Sequence, residues 1–330
     1  MFKNKTILIT GGTGSWGNEL VAQLLPRGPK EIRILSRGEF QQVTMERKFK
    51  SKKLNFIIGD VRDRDAIDFA CRGADYVFHL AALKHVPVCE EQPQEAIKTN
   101  ITGTTNLINA AIANRVKKVI DVSTDKAVDP LNLYGMTKAV AEKLVIQANK
   151  ISDYTKFVCI RGGNVLGTNG SVVPFFVEQI QKTNKVHVTD ARMTRFFLTL
   201  HEAIGLLFKA SEEGIGGETF VMHMPACRIT DIAKVLIKRY GDKNTRILET
   251  GSRPGEKIDE VLVSRYEALN TYKYDSSYYL ILPTLAIPDL NEHYANLNLK
   301  KVKFPEYSSS LEIMSERQVE EMLGRGGFLK

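Results

Sequence analysis

An α/β chain with a doubly wound parallel sheet and a smaller C-terminal lobe is predicted by three features of this sequence. Short β-branched apolar runs alternate with amphipathic stretches through the first half. A glycine-rich loop follows the first of those runs directly. The alternation stops after Gly167. Strands are expected at Thr6 to Thr10, Ile32 to Ser36, Asn55 to Gly59, Tyr76 to Leu80, Val119 to Ser123 and Lys156 to Arg161. Helices are expected between them at Gly17 to Leu25, Gln41 to Phe49, Arg64 to Cys71, Glu95 to Arg115 and Tyr134 to Lys150. Strict alternation calls for a parallel sheet covered on both faces, because each crossover is a right-handed helix. The result is Rossmann-like.

Beyond Gly167 the patterns predict helices at Val173 to Lys182, Leu200 to Glu213 and Ile229 to Tyr240, then an irregular stretch from Arg265 to Pro305. A capping box, Ser315 with Gln318, opens a last helix that Gly324 is expected to end. Residues 1–165 therefore read as a dinucleotide-binding domain, with roughly 191–222 packing back onto it. Residues 166–190 and 223–330 read as a lobe over the carboxyl ends of the strands, where doubly wound sheets bind ligands.

With 330 residues, 43% hydrophobic and 25% charged, the composition is that of a globular protein and excludes collagen-like, disordered and small disulfide-scaffold classes. No apolar run approaches the ~18 to 20 residues of a membrane span, and Met1 to Gly11 reads as a strand and not as a signal peptide. A soluble cytoplasmic protein without a membrane partner is expected. The four cysteines, Cys71, Cys89, Cys159 and Cys227, form no Cys-x-x-Cys pair, so reduced core thiols and no metal site are expected. The formal charge of +8 is scattered, its densest run being Arg47, Lys48, Lys50, Lys52 and Lys53. No interleaved aromatics accompany it, which points to an anionic small molecule or a solvated face and away from nucleic acid.

Gly11-Gly12-Thr13-Gly14-Ser15-Trp16-Gly17 joins the first strand to the first helix. Side chains at Gly11 or Gly14 would keep a pyrophosphate off the helix N-terminus, and Gly17 lets the helix close on the strand. After the second strand, Ser36 and Arg37 suit the 2′-phosphate of NADP, which is favoured over NAD; Glu39 nearby suits a plain ribose. Asp60-Val61 ends the third strand, either at the adenine edge or as a turn carboxylate.

Ser123-Thr124-Asp125-Lys126 follows the fifth strand, and Tyr134 and Lys138 lie one turn apart on the next helix. That spacing lets an ammonium lower the phenol pKa and hold a nicotinamide ribose. Joined to the glycine loop, the set resembles the extended short-chain dehydrogenase/reductases. Adjacent Asp125 and Lys126 offer a second acid and base, which an epimerase working at one carbon does not need.

Eight motifs extend the resemblance: Ala81-Ala82-Leu83-Lys84-His85-Val86-Pro87, Thr99 to Thr104, Ser123 to Ala127, Asn132 to Gly135, Gly163-Asn164-Val165, Gly170 to Pro174, Met193-Thr194-Arg195-Phe196 and Arg253 to Lys257. Over residues 3 to 265 the chain resembles the UDP-N-acetylglucosamine 4,6-dehydratases, nearest the short C5-inverting form of the pseudaminic acid pathway. The chain departs from that pattern at Gly162, where the family has Tyr, and at Gly38, where it has an acid.

The resemblance implies C4 oxidation, loss of water across C5 and C6, and hydride return to C6. Tyr134 is base at C4, Thr124 bonds the same oxygen, Lys126 takes the C5 proton once its pKa is lowered, and Asp125 protonates the C6 hydroxyl. Thr13, Ser15, Trp16, Ala81, Ala82 and Lys84 join the cofactor site. For the UDP-sugar, Lys84, His85, Asn164, Val172, Arg195, Arg253 and Glu256 are candidates, with a structural role open for His85 and surface ion pairs open for Arg195, Arg253 and Glu256. A homo-oligomer, dimer or hexamer, is implied. A nucleotide-sugar epimerase and a non-catalytic NADP-sensing module are the alternatives.

Overall fold

The computed structural model describes residues 1–168 and 170–329. Its first half contains β1 (Thr6–Thr10), α1 (Ser15–Leu24), β2 (Glu31–Ser36), α2 (Glu39–Phe49), β3 (Leu54–Ile58), α3 (Arg64–Cys71), β4 (Tyr76–His79), α4 (Val86–Glu91), α5 (Pro93–Ile97), α6 (Gly103–Ala113), β5 (Lys118–Thr124), α7 (Leu133–Ile151) and β6 (Lys156–Gly162). These agree with the sequence expectations to within a residue or two, except at α4, which no pattern predicts, and at the helix expected from Glu95 to Arg115. That helix is interrupted by a π turn, Lys98–Thr102. The turn carries Asn100, whose side chain is bonded outward to Leu83 and Thr137 and not along the helix.

The second half contains β7 (Asn164–Val165), α8 (Val172–Thr183), β8 (Lys185–Val188), β9 (Thr194–Leu198), α9 (Leu200–Glu213), β10 (Thr219–Met222), β11 (Ala226–Arg228), α10 (Ile229–Tyr240), β12 (Arg246–Glu249) and β13 (Val261–Val263). There follow α11 (Arg265–Ala268), β14 (Thr271–Lys273), β15 (Tyr278–Ile281), α12 (Leu290–Asn296), β16 (Lys300–Lys301), β17 (Tyr307–Ser308) and α13 (Glu316–Arg325).

Among the described residues one ten-stranded sheet runs β16-β14-β15-β10-β6-β5-β4-β1-β2-β3. The stretch from β10 to β3 is parallel, and β15, β14 and β16 add an antiparallel edge. This corrects two expectations. The Tyr- and Pro-rich stretch from Arg265 to Pro305 is not irregular, and its strands belong to the main sheet, not to the lobe. Its aromatics, Tyr272, Tyr274 and Tyr278, pack on the main core, where their large apolar surface extends the sheet face.

Helices α1 and α9 pack together, as do α3, α6 and α7. A second, smaller core is built from α8, α10 and α13, with Phe176, Ile180, Ile232, Leu236, Val319 and Leu323 buried in it. Strand β9 serves both cores by its period of two: Phe196 and Leu198 face the main core and Phe197 the lobe. The last helix has the expected Ser315–Gln318 capping box but runs past Gly324 to Arg325. Among the described residues no helix is long and apolar enough to cross a membrane.

Candidate active site

Strand order reverses between β1 and β4, and a cleft of about 870 Å³ opens at the carboxyl ends on either side of that point. Gly11 follows β1 with φ +66°, and a Cβ there would stand 2.8 Å from the Ala81 backbone. Only glycine lets the two loops meet. A Cβ on Gly17 would lie 2.0 Å from the Gly12 carbonyl, so α1 closes directly on the loop. Gly14 caps α1 without a side chain, so its first turn faces the cleft with no side-chain cap. Such an uncapped helix start can receive an anionic group.

Of the expected cofactor residues, Gly11, Thr13, Gly14, Ser15, Trp16, Ser36, Arg37, Asp60, Val61, Ala81, Ala82, Lys84 and Tyr134 line the cleft, whereas Gly17 and Lys138 lie behind its wall. Gln42, which sequence reading passed over, donates from one amide nitrogen toward the Ser36 hydroxyl and carbonyl and the Ile57 carbonyl, fixing the ends of β2 and β3. Arg37 is 58% exposed, 3.9 Å from Asp60. Burial would raise the Asp60 carboxyl, but Arg62 binds it through Nε at 2.8 Å and through its backbone N–H, and holds it below the usual range. Glu39 does not line the cleft, and Gln41 does.

Asn100 receives the Leu83 amide at 2.8 Å and donates to the Leu83 carbonyl at 2.9 Å, pinning the loop that carries Lys84 and His85 to the cleft. Lys84 has no ion-pair partner among the described residues, and burial pushes its ammonium below the ordinary pKa. His85 reaches across to the lobe, where a Cβ on Gly170 would be 3.1 Å from its ring.

Thr124 and Lys126 line the cleft beside Tyr134. The Asn132 side chain caps α7 by accepting from Gly135 and donates to the Gly255 carbonyl, so one residue starts the helix and ties it to the 253–257 loop. Burial raises the Tyr134 phenol, and the opposing pull of Lys138, Lys126 and Thr124 does not overcome it. The expected lowering by Lys138 is thus present but outweighed. Lys138 sits beneath the cleft, paired with Asp121; burial disfavours its charge, yet Asp121 more than restores it.

Asp125 is 1% exposed and lies behind the cleft wall. Its Oδ1 accepts from the Thr124 hydroxyl at 2.9 Å and from Lys126 at 3.1 Å. On its other side Lys126 meets Glu260, 3.2 Å away. The expectation of a lowered Lys126 pKa is reversed: burial does push it down, but two carboxylates overrule that and hold it above its usual value. Glu260 lies 134 residues along the chain and carries no motif signal of its own. Its amide donates to the Ser309 hydroxyl; two residues on, the Leu262 carbonyl accepts from the buried Arg161, which grips Glu142 and Glu267.

Asn164 and Val172 line the cleft, but Arg195, Arg253 and Glu256 do not. Arg195 is buried, donating to the carbonyls of Thr194, Ile258 and Lys257, with Nε 3.5 Å from Glu260. Arg253 is 61% exposed and 3.9 Å from Glu256. Helix α8 begins at the cleft, and the Ser171 hydroxyl there is buried without a partner. A Cβ on Gly162 would meet nothing within 4 Å, leaving open room beside its strand neighbour Thr124. Among the described residues no group of three or more His, Cys, Asp or Glu could hold a metal ion.

A protein of Campylobacter jejuni named UDP-N-acetylglucosamine 4,6-dehydratase (inverting) is 42% identical over 299 residues, 89% of this chain and 88% of that protein. One of Rickettsia akari named UDP-glucose 4-epimerase is 47% identical over 270 residues, 80% of this chain and 79% of that protein. The crystal structure of Pen from Bacillus thuringiensis superposes with a TM-score of 0.91 at 38% identity, covering 98% of this chain and 99% of that one. Residues 7–282 match the family model described as polysaccharide biosynthesis protein, and the chain belongs to that family.

Proposed function

We propose that this chain is a UDP-N-acetylglucosamine 4,6-dehydratase of the C5-inverting type, forming a UDP-4-keto-6-deoxy-HexNAc with NADP as cofactor. One observation carries the reading: Lys126 lines the cleft beside Thr124 and Tyr134 with two buried carboxylates at its back. Redox at a single carbon has no use for that second acid-base set. The 47% identity to a protein named an epimerase keeps C4 epimerisation as the alternative.

When bound, the dinucleotide supplies the hydride acceptor and later the hydride donor. The uncapped first turn of α1 fits its pyrophosphate, and Ser36, Arg37 and Gln41 at the ribose edge, with Gly38 in place of an acid, support NADP over NAD. Tyr134 takes the C4 hydroxyl proton, aided by the Lys138 ammonium, while the Thr124 hydroxyl turns from Asp125 Oδ1 to donate to the oxygen as it becomes a ketone. That ketone acidifies H5. Lys126 alone of the buried charged cluster faces the cleft, so it exchanges the C5 proton, and Asp125 acts on the C6 hydroxyl through Lys126. The start of α8 with the Ser171 hydroxyl, together with Lys84 and Asn164, suits the diphosphate. Arg253 and Glu256 reach it only if their loop closes over the substrate. A cytoplasmic location and assembly as dimers or hexamers go with this reading.

Product NMR after incubation with UDP-N-acetylglucosamine in deuterated water tests it. A 4-keto-6-deoxy product with deuterium at C5 and inverted configuration, without net NADPH, is expected. A C4 epimer as the sole product, or stoichiometric NADPH, overturns it.

A further inference from the structure

The residues after α13 fold back onto the wall of the cleft. The helix closes in a Schellman arrangement, in which the Phe328 amide donates to the Leu323 carbonyl at 2.9 Å and the Gly327 amide to the Gly324 carbonyl at 3.0 Å. Gly327 takes φ +80°, which glycine adopts at no steric cost. That turn reverses the chain and delivers Phe328 to the smaller core of the lobe, against which its ring packs. Tyr240, the last residue of α10, fixes the carbonyl end: its hydroxyl donates to the Phe328 carbonyl at 2.5 Å.

The tip of the ring meets Gly167. That residue has φ +70°, and a Cβ on it would lie 2.2 Å from Phe328 Cζ, with the three nearest atoms all belonging to that ring. Glycine is therefore required there twice, by the backbone and by the aromatic behind it. On either side of Gly167 the chain forms the wall of the cleft: Leu166, Thr168, Gly170 and Ser171 line it, and Phe328 does not. One backbone bond ties the start of this segment to β9, Leu166 to Leu198, and another closes its end on itself, Ser171 to Thr168. Between those two bonds, the Phe328 ring stands against the backbone.

We propose that Phe328 is a positioning residue for the UDP-sugar: pressed on Gly167 from behind, its ring sets the turn that carries Thr168, Gly170 and Ser171 into the cleft, and with it the start of α8. The ring touches no substrate. A turn backed by a rigid aromatic presents its polar groups already placed, so less ordering remains when the ligand arrives. Removing the ring frees the turn but leaves Thr124, Lys126 and Tyr134 in place, because these stand on β5, the turn after it and α7. The dinucleotide residues likewise stand on the loops after β1, β2 and β3, away from the lobe. The inference rests on the nucleotide-sugar reading above.

Phe328→Ala should raise KM for UDP-N-acetylglucosamine about tenfold with kcat within about twofold of wild type, since ground-state and transition-state binding are lost alike. Calorimetric titration with UDP should show affinity weakened by the same factor and NADP affinity unchanged. Phe328→Leu keeps an apolar side chain behind the turn and should bring KM back to within about threefold of wild type. An unchanged KM and UDP affinity in Phe328→Ala, or a loss shared equally by UDP, NADP and kcat, overturns the positioning role alone. Wild type that binds no UDP takes down the nucleotide-sugar reading and the role of Phe328 together. If Phe328→Ala does not fold, Tyr240→Phe decides, because it removes only the hydroxyl that holds the Phe328 carbonyl. UDP affinity should then weaken about threefold with NADP unchanged, and an unchanged UDP affinity overturns the proposal.

Discussion

The Lys138 ammonium lies 3.3 Å from the Asp121 carboxylate, and both side chains are buried under the floor of the cleft. Lys138 stands one helical turn from Tyr134, so β5 supplies at Asp121 the counter-charge that keeps a cation beneath the phenol. The neighbouring His79 is held neutral between Thr10 and Thr104. The cleft thus rests on a polar layer whose members are sealed from water.

Removing one partner of such a pair leaves a buried charge uncompensated. Asp121→Ala should lower stability by about 3 to 5 kcal/mol, seen as a reduced urea midpoint. An unchanged midpoint would show that Lys138 finds other support.

Lys126→Ala should spare C4 oxidation and stop C5 exchange, whereas Tyr134→Phe should suppress both, because H5 becomes acidic only once C4 is a ketone. Single-turnover nicotinamide absorbance follows the first event and deuterium entry at C5 the second. Deuterium entering at the wild-type rate without Lys126 would assign the base elsewhere.

Arg37→Ala should weaken NADP binding by roughly 1.5 to 3 kcal/mol and leave NAD nearly unchanged, since the guanidinium is free to pair with a 2′-phosphate at the cost of only a 3.9 Å contact with Asp60. Titrating both cofactors checks this. Equal losses would remove Arg37 from phosphate reading.

Burial lowers the His79 pKa to about 4. Its unfolded value is about 6.5, so between these two the unfolded chain binds more protons and stability must rise with pH. The contribution is complete above pH 6.5 and is lost on acidification toward pH 4, by at most about 1.4 kcal/mol per unit. Urea midpoints of wild type should therefore fall more steeply over that window than those of His79→Gln. Parallel curves would mean that His79 does not carry the difference.

Much of the framework was legible in residue order. Periodicity placed β1 to β6 and the helices α1, α2, α3 and α7 within a residue or two, because amphipathic spacing is a local property. The glycine loop and the Tyr134–Lys138 spacing are local too, and both stand where that spacing put them. The irregular look of Arg265 to Pro305 misled because its strands are two to four residues long and gain their order from β10, already in place. The π turn at Asn100 was equally invisible, since it is the bond to Leu83, not a breaker residue, that rewards it.

By itself, the sequence determined the doubly wound sheet, the dinucleotide cradle and the identity of the cleft-facing trio Thr124, Lys126 and Tyr134. Only the tertiary structure decided which charges meet. It placed Glu260 against Lys126, turned Arg195 inward onto backbone carbonyls, and left Asp125 behind the wall. The physical reason is range. Helix and strand patterns are written over a few residues, whereas the charge of Lys126 is supported by the adjacent Asp125 and also by a buried carboxylate 134 positions away, and no spacing rule reaches that far.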